Sequence, residues 1–161
     1  MEIEMTVKAL MPDPFTNMPI IVLSDQDGRR KLPIWIGKFE ADAIELQIQN
    51  VQTPRPMTYD LLKTIIDDLQ GRVERVVVSD LCDNTFYATI HIRSNGRLVA
   101  VDARPSDAIN LALRTRAKIF VEESVIESAR SEELSKESMG VAQLQKWLEG
   151  LTEDELGKYK M

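Results

Sequence analysis

Cysteine and histidine are almost missing from this chain: Cys82 and His91 are their only representatives among 161 residues. One thiol cannot close an intrachain disulfide, which fits a reducing compartment. One thiol and one imidazole cannot supply the four ligands of a structural zinc site. Nor is there a nucleophile-triad pattern or a glycine-rich phosphate loop. Positive charge is also short: 20 Lys and Arg face 26 Asp and Glu, for a net charge of −6. That balance excludes a bulk basic face for gripping phosphates and leaves only local clusters, Arg29-Arg30-Lys31 and Arg114-Thr115-Arg116 with Lys118. No apolar run approaches the ~20 residues that span a bilayer. The opening Met-Glu-Ile-Glu lacks the basic and apolar regions of a secretory signal. A cytoplasmic protein with no membrane contact is the expectation.

Local patterning points to an α+β fold: one compact mixed α/β domain with antiparallel hairpins packed against helices. Ile3, Met5, Val7 and Ala9 alternate with polar residues, a half-buried strand that Pro12 and Pro14 end. Two short apolar runs, Pro19 to Ser24 and Lys31 to Ile36, flank Asp25-Gln26-Asp27-Gly28 and read as a hairpin. Ala41, Ile44, Ile48 and Val51 step at helical spacing. After the extended loop Thr53-Pro54-Arg55-Pro56-Met57, Thr58 is the expected N-cap of a helix burying Leu61, Leu62, Ile65, Ile66 and Leu69, with Gly71 as its C′ residue. Strands follow over Val73 to Ser79, Thr85 to Arg93 and Leu98 to Ala103. Ser106 is the expected cap of a helix reaching Arg116, followed by a short strand over Ile119 to Val121 and a helix over Glu122 to Arg130. Ser131 to Ser138 reads as a linker. Val141, Leu144, Trp147, Leu148 and Leu151 make an amphipathic stripe expected to dock on its own domain or on a sister subunit, and Thr152-Glu153-Asp154-Glu155 reads as a capping box. The domain is thus residues 1–130, and 131–161 are linker and helical tail.

Asn95-Gly96 is the strongest hairpin signal, and a two-residue turn sets the register of its strands. Ile92 then faces Val99, Ile90 faces Val101 and Ala88 faces Ala103. The opposite face collects Tyr87, Thr89, His91, Asp102 and Arg104. Asp107, Asn110 and Arg114 share one face of the next helix, with Asp107 in the first turn, where the dipole favours anions. Carboxylates gathered at this strand-to-helix junction suit a divalent cation, and the neighbouring arginines suit a phosphodiester. His91 is the one imidazole available as a base near neutral pH. The same residues also suit a purely structural role: Asp102 pairing with Arg104, Asp107 serving its helix end, Arg55 tying down its proline loop.

Four stretches carry a family resemblance. They are Leu32-Pro33-Ile34-Trp35-Ile36-Gly37 with Glu40-Ala41, Pro54-Arg55-Pro56-Met57-Thr58-Tyr59-Asp60-Leu61-Leu62, Thr85-Phe86-Tyr87-Ala88, and Asp102-Ala103-Arg104-Pro105-Ser106-Asp107-Ala108-Ile109. On them the sequence resembles the bifunctional nuclease domain family over about residues 1 to 130, the tail excluded. The resemblance implies a compact mixed α/β fold that forms homodimers or larger assemblies, and nuclease activity on DNA and RNA. Carried over by position, it implies a site of Glu40, Arg55, Asp60, Asp102, Arg104, Asp107 and Arg114. The family usually has His where this chain has Tyr59, and a phenol with pKa near ~10 is a poor base.

The leading expectation is therefore a nuclease that hydrolyses phosphodiester bonds of single-stranded DNA or RNA with Mg²⁺ or Mn²⁺. Asp102, Asp107 and Arg104 are its expected catalytic residues. Asp102, Asp107 and Glu40 are the expected metal ligands, and Arg55, Asp60, Arg114 and His91 the expected substrate contacts. The alternative is a non-enzymatic, oligomeric regulatory or scaffold module whose Arg and Asp motifs hold the fold.

Overall fold

The computed structural model describes residues 1–131, 146–152 and 154–155. The first strand, β1 (Glu2–Pro12), alternates as its sequence demands, but its parity changes part-way. A bulge between Val7 and Ala9 shifts its pairing with β2 (Pro19–Ser24) by one residue. Ile3, Met5, Val7 and Leu10 then face the main core, whereas Ala9 and Met11 face a second, smaller one. This corrects the reading of Ala9 as a neighbour of Val7 on one face, because a bulged residue flips every side chain after it. β2 is buried on both faces, Ile21 and Leu23 in the main core and Ile20 and Val22 in the second, which explains its continuous apolar run.

The remaining elements are β3 (Lys31–Trp35), α1 (Lys38–Ile48), α2 (Thr58–Asp68), β4 (Gly71–Cys82), β5 (Thr85–Ser94), β6 (Arg97–Ala103), α3 (Pro105–Thr115), β7 (Lys118–Glu122) and α4 (Glu123–Ser131). The strands form one sheet in the order β3-β2-β1-β7-β4-β5-β6. Only β4 and β7 pair in parallel; α3 lies in the crossover between β6 and β7. The helices supply one face of the main core, through Ala41 and Ile44 of α1, Ile109 and Leu111 of α3, and Val125 and Ile126 of α4. Across the sheet, Leu148 of the tail is buried against Ala9, Met11, Ile20 and Val22, so this part of the tail docks on its own domain. Thr152 and Glu155 form the reciprocal capping box, each side chain accepting from the other's backbone N–H. Of the linker expected over Ser131 to Ser138, Ser131 is the last residue of α4, and the rest, with Val141 and Leu144, lies outside the described residues. Among the described residues no helix is long and apolar enough to cross a membrane.

The predicted Asn95-Gly96 turn is a two-residue loop with positive φ at both positions, and Asp83-Asn84, between β4 and β5, is another. Three helix ends differ from expectation. Met57, not Thr58, is the N-cap of α2, and its N–H is bonded by the Asp60 carboxylate (3.0 Å). Arg104, not Ser106, is the N-cap of α3, because Pro105 with its fixed φ takes the first helical position. Gln70 (φ 61°), not Gly71, takes the left-handed position after α2.

The largest departure is α2. Leu61, Leu62, Ile65 and Leu69 are exposed, with Leu69 at 72 %, and Tyr59 is the one fully buried residue of the helix. Helical periodicity located the stripe correctly but could not say that nothing among the described residues covers these four side chains.

Gly71 is needed for another reason. A Cβ there would stand 3.0 Å from Ile66 Cγ2, 3.2 Å from the Ile66 carbonyl oxygen and 3.2 Å from Ile92 Cγ2. The absent side chain lets the start of β4 pass between α2 and β5. Gly71→Ala should lower stability by about 1–3 kcal/mol through overpacking, read as a fall in the urea midpoint; an unchanged midpoint would show that the strand can move aside.

Candidate functional site

The observed pairing of β5 and β6 matches the predicted register at every position from Ser94↔Arg97 to Ala88↔Ala103. Thr89, His91 and Asp102 therefore share the face away from Ile90 and Val101. Arg104 does not join them. As the N-cap of α3 it leaves the strand, and its guanidinium turns to the helix layer.

There Arg104 lies between two carboxylates. Its Nε donates to Asp107 Oδ2 (2.9 Å), and its Nη2 donates to Asp107 Oδ1 (3.0 Å) and to Glu40 Oε1 (2.9 Å). The i,i+3 spacing supplies the fork to Asp107, and α1 supplies Glu40. Nη1 takes part in neither interaction, and the side chain is 64 % exposed. Its hydrogen bonds to Asp107 and Glu40 raise its pKa, so it stays charged.

Tyr59 joins the same cluster, its hydroxyl donating to Asp107 Oδ1 at 2.6 Å. Burial first, then the hydrogen bond and charge of Asp107 and the charge of Glu40, push its phenol far above the usual tyrosine value. In the place of the family's histidine, Tyr59 is thus a held proton donor that orients Asp107, not a base.

Beneath this exposed cluster is a buried one. Arg114, with only 4 % of its side chain exposed, donates from Nε to Asp60 Oδ1 (3.0 Å), from Nη2 to the Ala43 carbonyl (3.0 Å), and from Nη1 to Oδ1 (3.0 Å) and the carbonyl (3.2 Å) of Asn110. It lies over the Tyr59 ring, 5.4 Å from the centroid. Asn110 is fully buried and donates through Nδ2 to the carbonyls of Glu40 (3.1 Å) and Ser106 (3.0 Å). Arg114 and Asn110 therefore clamp α1, α2 and α3 together.

The structure brings only some of the expected site residues together. Arg114 and Asp60 are engaged within the helix layer: four of the five Arg114 N–H groups donate there, and Asp60 is divided between Arg114 and the Met57 N–H. Arg55 stays in its exposed loop, where its carbonyl accepts from Thr53 Oγ1 (2.6 Å), and joins no ion pair among the described residues. His91 pairs across the sheet with Arg75 and Ala100, away from the helix layer. The three expected metal ligands are not assembled. Glu40 and Asp107 are held by Arg104, Asp102 is bonded to neither, and no group of three or more His, Cys, Asp or Glu stands ready for a metal ion among the described residues. The donor set as arranged does not fit a divalent cation.

The exposed cluster borders a groove of about 850 Å³ between α1, α2 and the β5–β6 hairpin. Its walls are largely apolar, including Leu46, Met57, Leu62, Ile90 and Val101, and Phe39, 85 % exposed, stands at its edge beside Glu40. Phe39 carried no signal in the sequence, because a lone aromatic next to a helix start resembles any other surface residue. Tyr59 and Asn110 were visible as a motif departure and a helical spacing, but not as members of one network.

An antiparallel-rich sheet with helices α1 to α4 on one face, and an arginine–carboxylate corner opening on an apolar groove, is the class of protein that fold and site define. The chain belongs to the bifunctional nuclease domain family, whose pattern matches residues 21–133. It is 43 % identical over 113 residues to an uncharacterized protein of Mycobacterium tuberculosis, covering 70 % of this chain and 67 % of the relative. It is 32 % identical over 115 residues to bifunctional nuclease 1 of Arabidopsis thaliana, covering 69 % of this chain and 35 % of the plant protein. With bifunctional nuclease 2 of Oryza sativa subsp. japonica the identity is 30 % over 128 residues, covering 77 % and 39 %. The chain thus spans little more than a third of these plant relatives.

Arg114→Ala should cost about 1–3 kcal/mol, because it leaves the buried Asn110 amide oxygen and the Ala43 carbonyl without their donor; thermal unfolding measures it, and Arg114→Lys should recover little, since an ammonium cannot reproduce the fork. Alkaline titration of tyrosinate absorbance should contain a component well above the usual ~10 that Tyr59→Phe removes. The raised folded value means that the Tyr59 contribution to stability is complete below the unfolded pKa and is lost as pH rises through the folded one.

Proposed function

We propose that this protein is a nuclease that takes a single strand of DNA or RNA along the groove and acts on a phosphodiester beside Arg104. The observation that carries this reading is the state of Arg104: fixed by Asp107 and Glu40, yet largely exposed, with Nη1 engaged by neither. A guanidinium oriented in this way meets a phosphate with little ordering cost and a charge-assisted bond. The apolar walls with Phe39 suit unstacked bases, which a single strand offers and a duplex does not. The names of the plant relatives support the same chemistry. With a net charge of −6, binding should be weak and salt-sensitive.

The roles follow from the contacts. Arg104 holds phosphate. Asp107 and Glu40 orient Arg104, and Tyr59 holds Asp107 through its proton. Arg114, Asn110 and Asp60 keep the three helices at the spacing that forms the groove. A second reading, a non-enzymatic module, is favoured by the same pairs, since each arginine of the corner already has its carboxylate.

Cleavage of a labelled single-stranded oligonucleotide decides between them, run with chelator and with Mg²⁺ or Mn²⁺ added. Arg104→Ala should lower the rate by about 100-fold, the scale of losing one charge-stabilising donor, while shifting stability by less than about 1 kcal/mol because the pair is exposed. Phe39→Ala should raise KM with little change in kcat. No cleavage by the wild type under any of these conditions, or equal cleavage by Arg104→Ala, would leave the non-enzymatic reading standing.

A further inference from the structure

Arg104 borders a second cavity besides the groove, and it is the one described residue that lines both. The second cavity, of about 260 Å³, lies between the end of β3, the turn from β4 to β5 and the first turn of α3. Trp35, Gly37, Asn84, Phe86 and Ser106 are among its other walls. No Asp or Glu lines it among the described residues, although the chain carries a net charge of −6. Glu40 and Asp107 line the groove instead.

Ser106 carries the chemistry of this cavity. Because Arg104 takes the N-cap of α3, Ser106 falls inside the first turn and its hydroxyl is released from capping. The residue is only 6 % exposed, yet its Oγ has no hydrogen-bond partner among the described residues. A polar group so deeply placed normally has one. Its backbone N–H is in the same state. Pro105 has no N–H, and those of Asp107 and Ala108 donate to the Arg104 carbonyl (3.1 and 3.0 Å), which leaves the Ser106 N–H without an acceptor. The eleven-residue α3 also presents the positive end of its dipole here. Two donors of Ser106 and one guanidinium therefore border a space that no carboxylate lines.

We infer that this cavity binds the terminal phosphate of a nucleic-acid strand whose following nucleotides lie in the groove, which rests on the nuclease reading above. Charge selects a chain end. A terminal phosphate carries roughly −2 near neutral pH, whereas an internal phosphodiester carries a single charge, and a helix N-terminus beside an arginine favours the former. Size selects it too: about 260 Å³ against about 850 Å³ for the groove suits the end of a strand and not its course. Trp35 and Phe86 give the end nucleotide an aromatic wall, and the Trp35 ring is fixed by its Nε1–H donating to Asp13 Oδ2 (2.7 Å). Since Arg104 borders both spaces, the terminal phosphate and the first phosphodiester flank one guanidinium. A strand held in this way is cut next to its end.

Equilibrium binding of short single-stranded oligonucleotides tests this, with phosphorothioate linkages to block cleavage and a 5′-phosphate, a 3′-phosphate or hydroxyls at both ends. The wild type should bind one or both phosphorylated forms at least about tenfold more tightly than the hydroxyl-ended strand, the scale of a hydrogen bond to a charged group. The preferred form identifies the end that enters the cavity. Ser106→Ala, which removes a donor, and Asn84→Asp, which adds a carboxylate at the exposed rim, should each abolish most of that preference and leave binding of the hydroxyl-ended strand unchanged. Both should keep the wild-type unfolding midpoint, since Ser106 Oγ bonds to nothing and Asp tolerates the positive φ of residue 84 as Asn does. Equal, Arg104-dependent affinity for phosphorylated and hydroxyl-ended strands overturns the proposal and leaves the nuclease reading intact. A preference that both variants retain overturns it too. Absence of binding by any strand overturns both.

Discussion

A cation taken out of water must be surrounded by acceptors or it will not stay. Arg114 satisfies that demand by drawing on three helices at once: Asp60 from α2, the Ala43 carbonyl from α1, and Asn110 from its own helix α3. The rest of the helix layer follows from it. α2 has little other hold on the domain, for Tyr59 is its one fully buried residue. It is fastened by its first turn, through Tyr59 against Arg114 and Asp60 on Arg114, with Ile66 and Gly71 closing the far end. Such a corner specifies geometry more than it adds stability, and geometry is what the groove needs.

The two arginines of α3 and its cap have opposite fates from the same chemistry. Arg104 is exposed and shares its charge with two carboxylates; Arg114 is buried and uses all three of its guanidinium nitrogens to hold helices. In the sequence Arg104 stands between Asp102 and Asp107, Arg114 stands in a basic run with Arg116 and Lys118, and both read as phosphate contacts. The difference is made by α1, which covers Arg114 and only borders Arg104. Polar networks of this kind are invisible to spacing rules, because burial comes from a third element distant in the chain.

What was legible depended on how local the cause was. Turn chemistry at Asn95-Gly96 fixed a whole hairpin register, since a two-residue turn leaves no freedom to slip. Helices and strands were found wherever apolar periodicity was strong. The main core was found in outline, but Ala9 was misplaced because a bulge leaves no mark in composition. The α2 stripe was read as core because an amphipathic helix looks the same whether its cover is the domain or another molecule. Glu40, Arg104 and Asp107 were each flagged; that Arg104 lies between the two carboxylates, and that Asp102 stays on the strand, follows from Pro105 starting a helix at once and turning Arg104 off the hairpin.

The bulge in β1 has a consequence well beyond its strand. By shifting parity at mid-length, it makes a single strand serve two hydrophobic interiors: the first half faces helices α1, α3 and α4, and Ala9 and Met11 form the floor on which Leu148 rests. The attachment of the tail is therefore encoded at the opposite end of the chain. Loss or gain of one residue near Lys8 would leave the main sheet pairing with β7 intact while turning the tail's platform inside out, so this single irregularity acts as the reading frame for where the chain's last helix can settle.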